Sequence, residues 1–332
     1  MSSLFSIQNL NHNNDIKEGR YSNMKLGFLT GCLQESTLIE KINWAKANGF
    51  DCVEVSCWPK INTRNYSGSD IDVKNLDEKG VKAIKEMLKK NNLFISSLAY
   101  YDNNLHRDID VRRKNIEHLK KVIDAAQMLE VELVGTFVGR NSDMTIEENF
   151  DLYEEVFTEL VEYSKDRNVK LMIENCPMPE WQMDGGAGTI SYSPELWNEM
   201  FERIPDENFG LNFDPSHLTW LQIDYIKAFI DYKDRIFHVH AKDIEFSKEM
   251  LSHYSIFGKQ LNKKTPMDLG WWKAKIPGKG QIDWDKFINT LKENNYKGVV
   301  SIEHEDEDYA NDEGIIKEGL VYSNKHLRKF MD

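Results

Sequence analysis

Four side chains able to bind a cation stand at matching points in the second half of the chain. Glu174 ends the run LMIE, Asp214 ends LNFD, His240 ends HVH and Glu303 ends VSIE. Three carboxylates and one imidazole form a mixed oxygen and nitrogen donor set. Such a set suits Mn²⁺, with Mg²⁺, Co²⁺ or Zn²⁺ as alternatives, whereas a soft ion would call for thiolates. Left bare, three close carboxylates would repel and raise one another's pKa values. A single Asp or Glu after a strand is ordinarily a helix cap or a solvated loop residue. Four such potential ligands, three carboxylates and one imidazole, on successive strand ends indicate a metal centre. A divalent ion bound to a carbonyl and a neighbouring hydroxyl oxygen would acidify the C–H between them and stabilise the resulting enediolate. Reprotonation of that intermediate gives epimerisation or isomerisation, and loss of a β-substituent gives elimination.

Other residues are candidates for substrate contact. Lys242 is expected either to bind a substrate oxygen or to pair with an acidic neighbour. Arg140, after TFVG, is expected to hold a hydroxyl, oxo or phosphate group, or to salt-bridge Asp243 or Glu245. Trp58, Tyr100, Trp271 and Trp272 offer flat walls for a substrate, although aromatic residues are more often core. His106 is a weaker candidate contact. His238 and His240 flank Val239, and strand alternation is expected to send one to the barrel mouth and the other to the helix layer. The acidic run Glu305–Asp306–Glu307–Asp308 is read as a solvated loop.

The elements that must position these residues alternate along the chain. Apolar or β-branched runs at 25–30, 51–56, 93–99, 132–137, 169–174, 209–214, 235–240 and 298–303 read as strands. Helical periodicity fills the intervals near 36–49, 77–91, 108–129, 146–167, 194–203, 221–232, 283–294 and 312–331. Thr145-Ile-Glu-Glu starts one of these helices in the manner of a capping box. Eight strand–helix units predict an α/β fold, a single (β/α)₈ TIM barrel, since parallel neighbours need helical crossovers. An open doubly wound sheet is disfavoured because the first turn, LTGCLQES, lacks a GxGxxG signature. Two insertions, 175–193 and 244–282, follow strands and so belong on the C-terminal face where barrel enzymes build their sites.

The 332 residues carry 42 Lys and Arg against 55 Asp and Glu, a net charge of −13. That sign argues against a nucleic-acid partner, because phosphate neutralisation needs clustered cations. Cys32, Cys52, Cys57 and Cys176 form no CxxC pair, in keeping with reduced thiols in a cytoplasmic protein. No apolar run approaches the ~20 residues of a membrane span. Residues 1–23 are polar and Asn-rich and read as an N-terminal extension, leaving 24–332 for the barrel.

IENCP, NFDPSH, HVHAKD and SIEHED, in that order, resemble the xylose isomerase-like sugar isomerase/epimerase superfamily. The resemblance implies that Glu174, Asp214, His240 and Glu303 ligate the metal, and that His217 lies over it and contacts substrate. It also casts Glu174 and Glu303 as ligands that exchange protons, with His217 as the alternative base. NCPMPEW, GTISYSPELW, the pair Trp271–Trp272 and IPGKGQIDWDKF resemble a narrower branch of that superfamily. That branch includes the catalytic subunits of bacterial C-glycoside deglycosidases. This likeness implies a lyase that cleaves 3-oxo-glycosides by β-elimination, a small β-sandwich partner subunit and a higher oligomer. A sugar (phosphate) isomerase/epimerase is the alternative. A non-catalytic sugar-binding or assembly subunit is the alternative from another class.

Overall fold

The computed structural model describes residues 23–59, 69–181, 186–264 and 268–331. The expected N-terminal extension lies outside the described residues, apart from Asn23. Eight parallel strands form one sheet: β1 (Lys25–Phe28), β2 (Cys52–Ser56), β3 (Phe94–Ala99), β4 (Leu133–Thr136), β5 (Lys170–Glu174), β6 (Phe209–Phe213), β7 (Ile236–Ala241) and β10 (Val299–Ile302). Neighbours run β1-β10-β7-β6-β5-β4-β3-β2. The last gap closes without a full ladder. Asp51 donates its backbone N–H to the Leu26 carbonyl at 2.9 Å, and its carboxylate accepts the Leu26 N–H at 2.9 Å. A single parallel bridge joins Leu29 to Glu54. The sheet is therefore the expected barrel and not an open doubly wound array.

The strands form because their residues are buried on both faces. Every residue of CVEVS and FGLNF is buried, as in strands wrapped by helices. Helices α1 (Leu38–Ala47), α2 (Glu78–Asn91), α3 (Ile109–Leu129), α4 (Ile146–Lys165) and α5 (Pro194–Arg203) pack outside the barrel. Thr37 with Glu40 and Thr145 with Glu148 are complete capping boxes that fix where α1 and α4 begin. A short helix outside the expected set, α6 (Pro215–Trp220), precedes the helix expected over 221–232, which is α7 (Tyr225–Tyr232). Asp214 and Asp224 each cap a new start, and Gln222 turns between them at φ 61°.

The 244–282 insertion has its own structure. β8 (Asp243–Phe246) pairs antiparallel with β9 (Trp272–Lys275), and α8 (Lys248–Tyr254) lies between them. Asp243 anchors this excursion by accepting the N–H groups of Ile244, Gly278 and Ile282 and the indole N–H of Trp284. α9 (Trp284–Glu293) and α10 (Glu313–Met331) complete the outer layer. Among the described residues no helix is long and apolar enough to cross a membrane.

Candidate metal centre

Each of the four strand-end residues is delivered by its own element. β5 ends in Glu174, Asp214 follows β6, His240 lies near the end of β7, and Glu303 follows β10. Asp214 is held twice over. Its backbone N–H donates to the Asn175 side chain at 2.7 Å, and its Oδ1 caps α6 by accepting the Ser216 N–H at 2.7 Å. The cap uses one carboxylate oxygen and leaves Oδ2 facing the barrel mouth.

Ligand atoms of Glu174, Asp214, His240 and Glu303 all lie within 4.8 Å of one another. His240 Nδ1 is 3.4 Å from Glu174 Oε1 and 3.3 Å from Glu303 Oε2. All four residues are buried, Glu303 being the most accessible at 8%. Both oxygens of Glu174, Oδ2 of Asp214 and Nδ1 of His240 are buried and, among the described residues, make no well-aligned hydrogen bond, although His217, His240 and Lys242 stand 3.2–3.4 Å from these carboxylates. Orphaned buried acceptors are costly unless something else satisfies them. Here the orphans belong to one cluster and have the chemistry of divalent-cation ligands. The donor set fits such an ion, with His240 presenting Nδ1.

His217 and Lys242 roof the cluster. His217 Nε2 lies 3.4 Å from Glu174 Oε1 and 3.4 Å from Asp214 Oδ2. The Lys242 ammonium lies 2.7 Å from Glu303, 3.2 Å from Asp214, 3.2 Å from Glu305 and 3.0 Å from His217 Nε2. Burial alone would lower the Lys242 pKa, but Glu303, Glu305 and Asp214 outweigh it and hold the group well above its ordinary value. Burial likewise opposes charge on His240, yet Glu54, Glu303 and Glu174 hold it well above 6.5. Burial works to raise Glu174, whereas His240, His217 and Lys242 hold its carboxyl well down. Glu303 is also lowered: Lys242 and His240 overcome burial and the charge of Glu174. Burial pushes the Glu305 carboxyl up, against the pull of Lys242.

Several expectations need correction. His238 and His240 do not face opposite layers. Two residues is one full strand period, so both side chains point inward, their ring centroids 6.0 Å apart at successive depths. Arg140 pairs with neither Asp243 nor Glu245. Its Nη1 donates to the Ala187 carbonyl at 3.3 Å, and its buried Nε has no hydrogen-bond partner among the described residues. Tyr100 turns to α3, where its hydroxyl donates to Asn115 and its ring meets His118 edge-on. Its neighbour Tyr101 takes the inner position, 5.7 Å from the His240 ring. His106 accepts the Asp108 N–H close to the start of α3 and lies away from the cluster's contacts. The acidic run is only partly solvated. Glu305 reaches Lys242, and buried Asp306 accepts the Ile276 and Asp308 N–H groups.

The aromatic candidates fall into two groups. Trp58 packs on Tyr100 and Tyr101. Trp271 and Trp272 pack around Trp220, whose indole points toward His217 Nδ1 at 3.5 Å. The indole N–H groups of Trp58, Trp271 and Trp272 are buried and have no hydrogen-bond partner among the described residues. A separate cleft of about 750 Å³ near Lys165, Lys170 and Arg203 is lined by ions already paired with Asp206, Glu132 and Glu199.

Sequence reading missed Glu54. It sits inside β2, fully buried, and accepts Tyr101, Ser301 and the His240 Nε2–H. A charged residue in the middle of CVEVS, a strand buried on both faces, was the available signal.

A parallel barrel with a buried carboxylate and histidine cluster at its C-terminal mouth defines a class of metal-centre protein. Residues 42–326 match the family described as xylose isomerase-like TIM barrel, and the chain belongs to that family. An inosose dehydratase from Clostridium perfringens is 23% identical over 274 residues, covering 78% of this chain and 84% of that protein. The IOLI protein, solved with a zinc atom, superposes with a TM-score of 0.67 at 20% identity, covering 92% of this chain and 99% of that one. The 3-keto-D-glucoside 4-epimerase of E. coli superposes with a TM-score of 0.64 at 15% identity, covering 91% and 99%.

Proposed function

We propose that this chain is a divalent-metal-dependent enzyme that acts on a keto sugar or a related polyol through an enediolate. The observation that carries the proposal is the convergence of the orphaned atoms of Glu174, Asp214 and His240 beside Glu303. When bound there, a divalent cation supplies charge stabilisation to adjacent substrate oxygens. The protein's own groups manage the protons. Glu174 and Glu303, both held in the anionic form, are positioned to take a proton from the carbon between those oxygens. The Lys242 ammonium is a fixed positive charge, ready to hydrogen-bond a substrate oxygen. His217, in contact with Lys242, lies where a second proton transfer would occur.

The finer reading is β-elimination from a 3-oxo-glycoside. A base removes the proton from C2, the electron pair moves toward C1, and the C1–aglycone bond breaks with a proton passing to the leaving group. The likeness of NCPMPEW and IPGKGQIDWDKF to the C-glycoside deglycosidase branch supports this outcome. A relative named as a dehydratase supports elimination chemistry in general. The same reading takes manganese as the resident ion, a small β-sandwich protein as partner and the cytoplasm as compartment. The structural likeness to an epimerase favours a second outcome, reprotonation without cleavage.

Incubation of a 3-oxo-glucoside with the Mn²⁺-loaded protein in D₂O separates these readings. Deuterium at C2 together with free aglycone supports the lyase, and deuterium without cleavage supports the epimerase. Turnover unaffected by EDTA, or by Glu174→Gln and Glu303→Gln, would sink both in favour of a non-catalytic sugar-binding subunit.

A further inference from the structure

Beneath the metal centre the barrel interior remains polar, and its groups are partnered. His238 Nδ1–H donates to Asn212 Oδ1 at 3.0 Å, and its Nε2 faces the Ser96 hydroxyl at 3.3 Å. Asn212 Nδ2 donates to the Tyr101 hydroxyl at 2.7 Å. Tyr101 in turn donates to Glu54 Oε1 at 2.8 Å. The other Glu54 oxygen accepts Ser301 at 2.8 Å and His240 Nε2–H at 3.0 Å. The bonds converge on a single acceptor, the buried Glu54 carboxylate.

The backbone is shaped to bring these groups together. The β2–β3 register shifts between Val53 and Glu54, and the β6–β7 register shifts between Leu211 and Asn212. Both irregularities fall at members of this column, as bulges do where a side chain must be re-aimed. Gly135 on β4 leaves room for the Tyr101 hydroxyl, with which a Cβ at that position would collide.

From this arrangement we infer that Glu54 is the positioning residue of the metal centre: it holds the proton of His240 on Nε2 so that Nδ1 is presented to the cation. The inference rests on the metal-centre reading above. A neutral imidazole carries one N–H, and the bond made by one nitrogen decides what the other offers. The Asn212 amide nitrogen also lies 2.9 Å from His240 Nε2 and would favour the opposite tautomer if Nε2 were the acceptor. The carboxylate decides the matter, because it accepts only and carries full charge. Asn212 can direct one of its two N–H bonds to Tyr101 without needing His240 Nε2 as an acceptor for the other. Glu54 lies inside the barrel beneath the ligands, so its role is orientation and not contact with substrate.

Three measurements on the full chain test the inference, with Zn²⁺ alone as the probe. In the zinc-loaded protein, ¹⁵N-resolved NMR of the His240 ring should show the proton on Nε2 and the metal-shifted nitrogen at Nδ1. Chelator competition should show Glu54→Gln binding Zn²⁺ about 10- to 100-fold more weakly, the range typical of partners behind a ligating histidine. The amide would either turn its NH₂ toward His240 and reverse the tautomer, or turn it toward Tyr101 and lose the bond that the Tyr101 hydroxyl makes to Glu54. Tyr101→Phe, which keeps the carboxylate but removes one of its donors, should fall between the two. It also decides the question should Glu54→Gln not fold. Zinc affinity unchanged in both variants, or a proton found on Nδ1 of the wild type, would overturn the positioning role. Failure of the wild type to bind Zn²⁺ would overturn the metal centre itself, a result distinguishable from the former.

Discussion

Two buried lysines, Lys41 and Lys242, show the difference between a closed polar network and an open one. Lys41 on α1 is 1% exposed, and its ammonium bonds Asp70 at 2.6 Å and the Thr30 carbonyl at 3.0 Å. Asp70 also accepts the Ser56 hydroxyl at 2.9 Å, and Thr30 Oγ1 accepts the Ser56 N–H. One cation meets one anion beside the β1–β2 seam, and among the described residues no side-chain atom of Lys41, Asp70, Thr30 or Ser56 is buried without a partner. Lys242 is as deeply buried, but Glu303, Glu305 and Asp214 surround it, with Glu174 contributing charge from beyond. Acceptors there remain orphaned. The first cluster is complete as a structural clip, whereas the second has an excess of negative charge and open acceptors, the condition of a site that takes a cation.

The largest test of this contrast is chemical. Glu174→Gln or Glu303→Gln should reduce turnover by about 10²- to 10⁴-fold, the span of a lost proton-transfer group, in a steady-state assay on the identified substrate. Lys41→Met should cost about 3–5 kcal/mol in urea unfolding, since it strands the buried Asp70 charge, and Zn²⁺ affinity should not change. Lys242→Met should instead destabilise mainly the apo protein, with added Zn²⁺ restoring the melting temperature. If the two variants respond alike to metal, the contrast fails.

A pH experiment sharpens it further. The folded pKa of His240 lies well above 6.5, so its contribution to apo stability is complete below the unfolded value of about 6.5 and fades as pH rises through the folded one. Metal binding runs the opposite way, because the ion must displace the Nδ1 proton. Zn²⁺ affinity should therefore rise with pH from neutrality. Calorimetry in buffers of different ionisation enthalpy should show about one proton released per ion at pH 7. The smallest effect is expected from Thr37→Ala, which opens the capping box of the helix that carries Lys41. It should cost about 1 kcal/mol by thermal melting and leave metal affinity untouched.

The strands were legible because burial on both faces writes them as compact apolar runs, and their C-terminal residues could be read off directly. Glu174, Asp214, His240 and Glu303 were legible for the same reason: a polar residue ending such a run stands out. Glu54 was not, since its partners Tyr101, Ser301 and His240 lie far away in sequence and meet it only when the barrel closes. Tyr101 was missed by one residue because the chain leaves strand geometry after Ala99, where alternation no longer tells which of two adjacent tyrosines turns inward. Lys41 looks like any lysine on an amphipathic helix, and only Asp70, brought in from a later loop, explains its burial. The hairpin within 244–282 was hidden for a related reason, because an antiparallel pair 26 residues apart at its inner ends leaves no local turn signature.

The column below the ligands has one further consequence. Hydroxyls and imidazoles can relay a proton by accepting on one side and releasing on the other, but the side-chain amide of Asn212, set between His238 and Tyr101, has no such exchange at ordinary pH. It interrupts the line of polar groups that runs down the barrel axis. The polar line is therefore broken at Asn212, and on the proposed reading proton exchange would stay above it, at the end of the barrel where Glu174, Glu303, His217 and Lys242 meet.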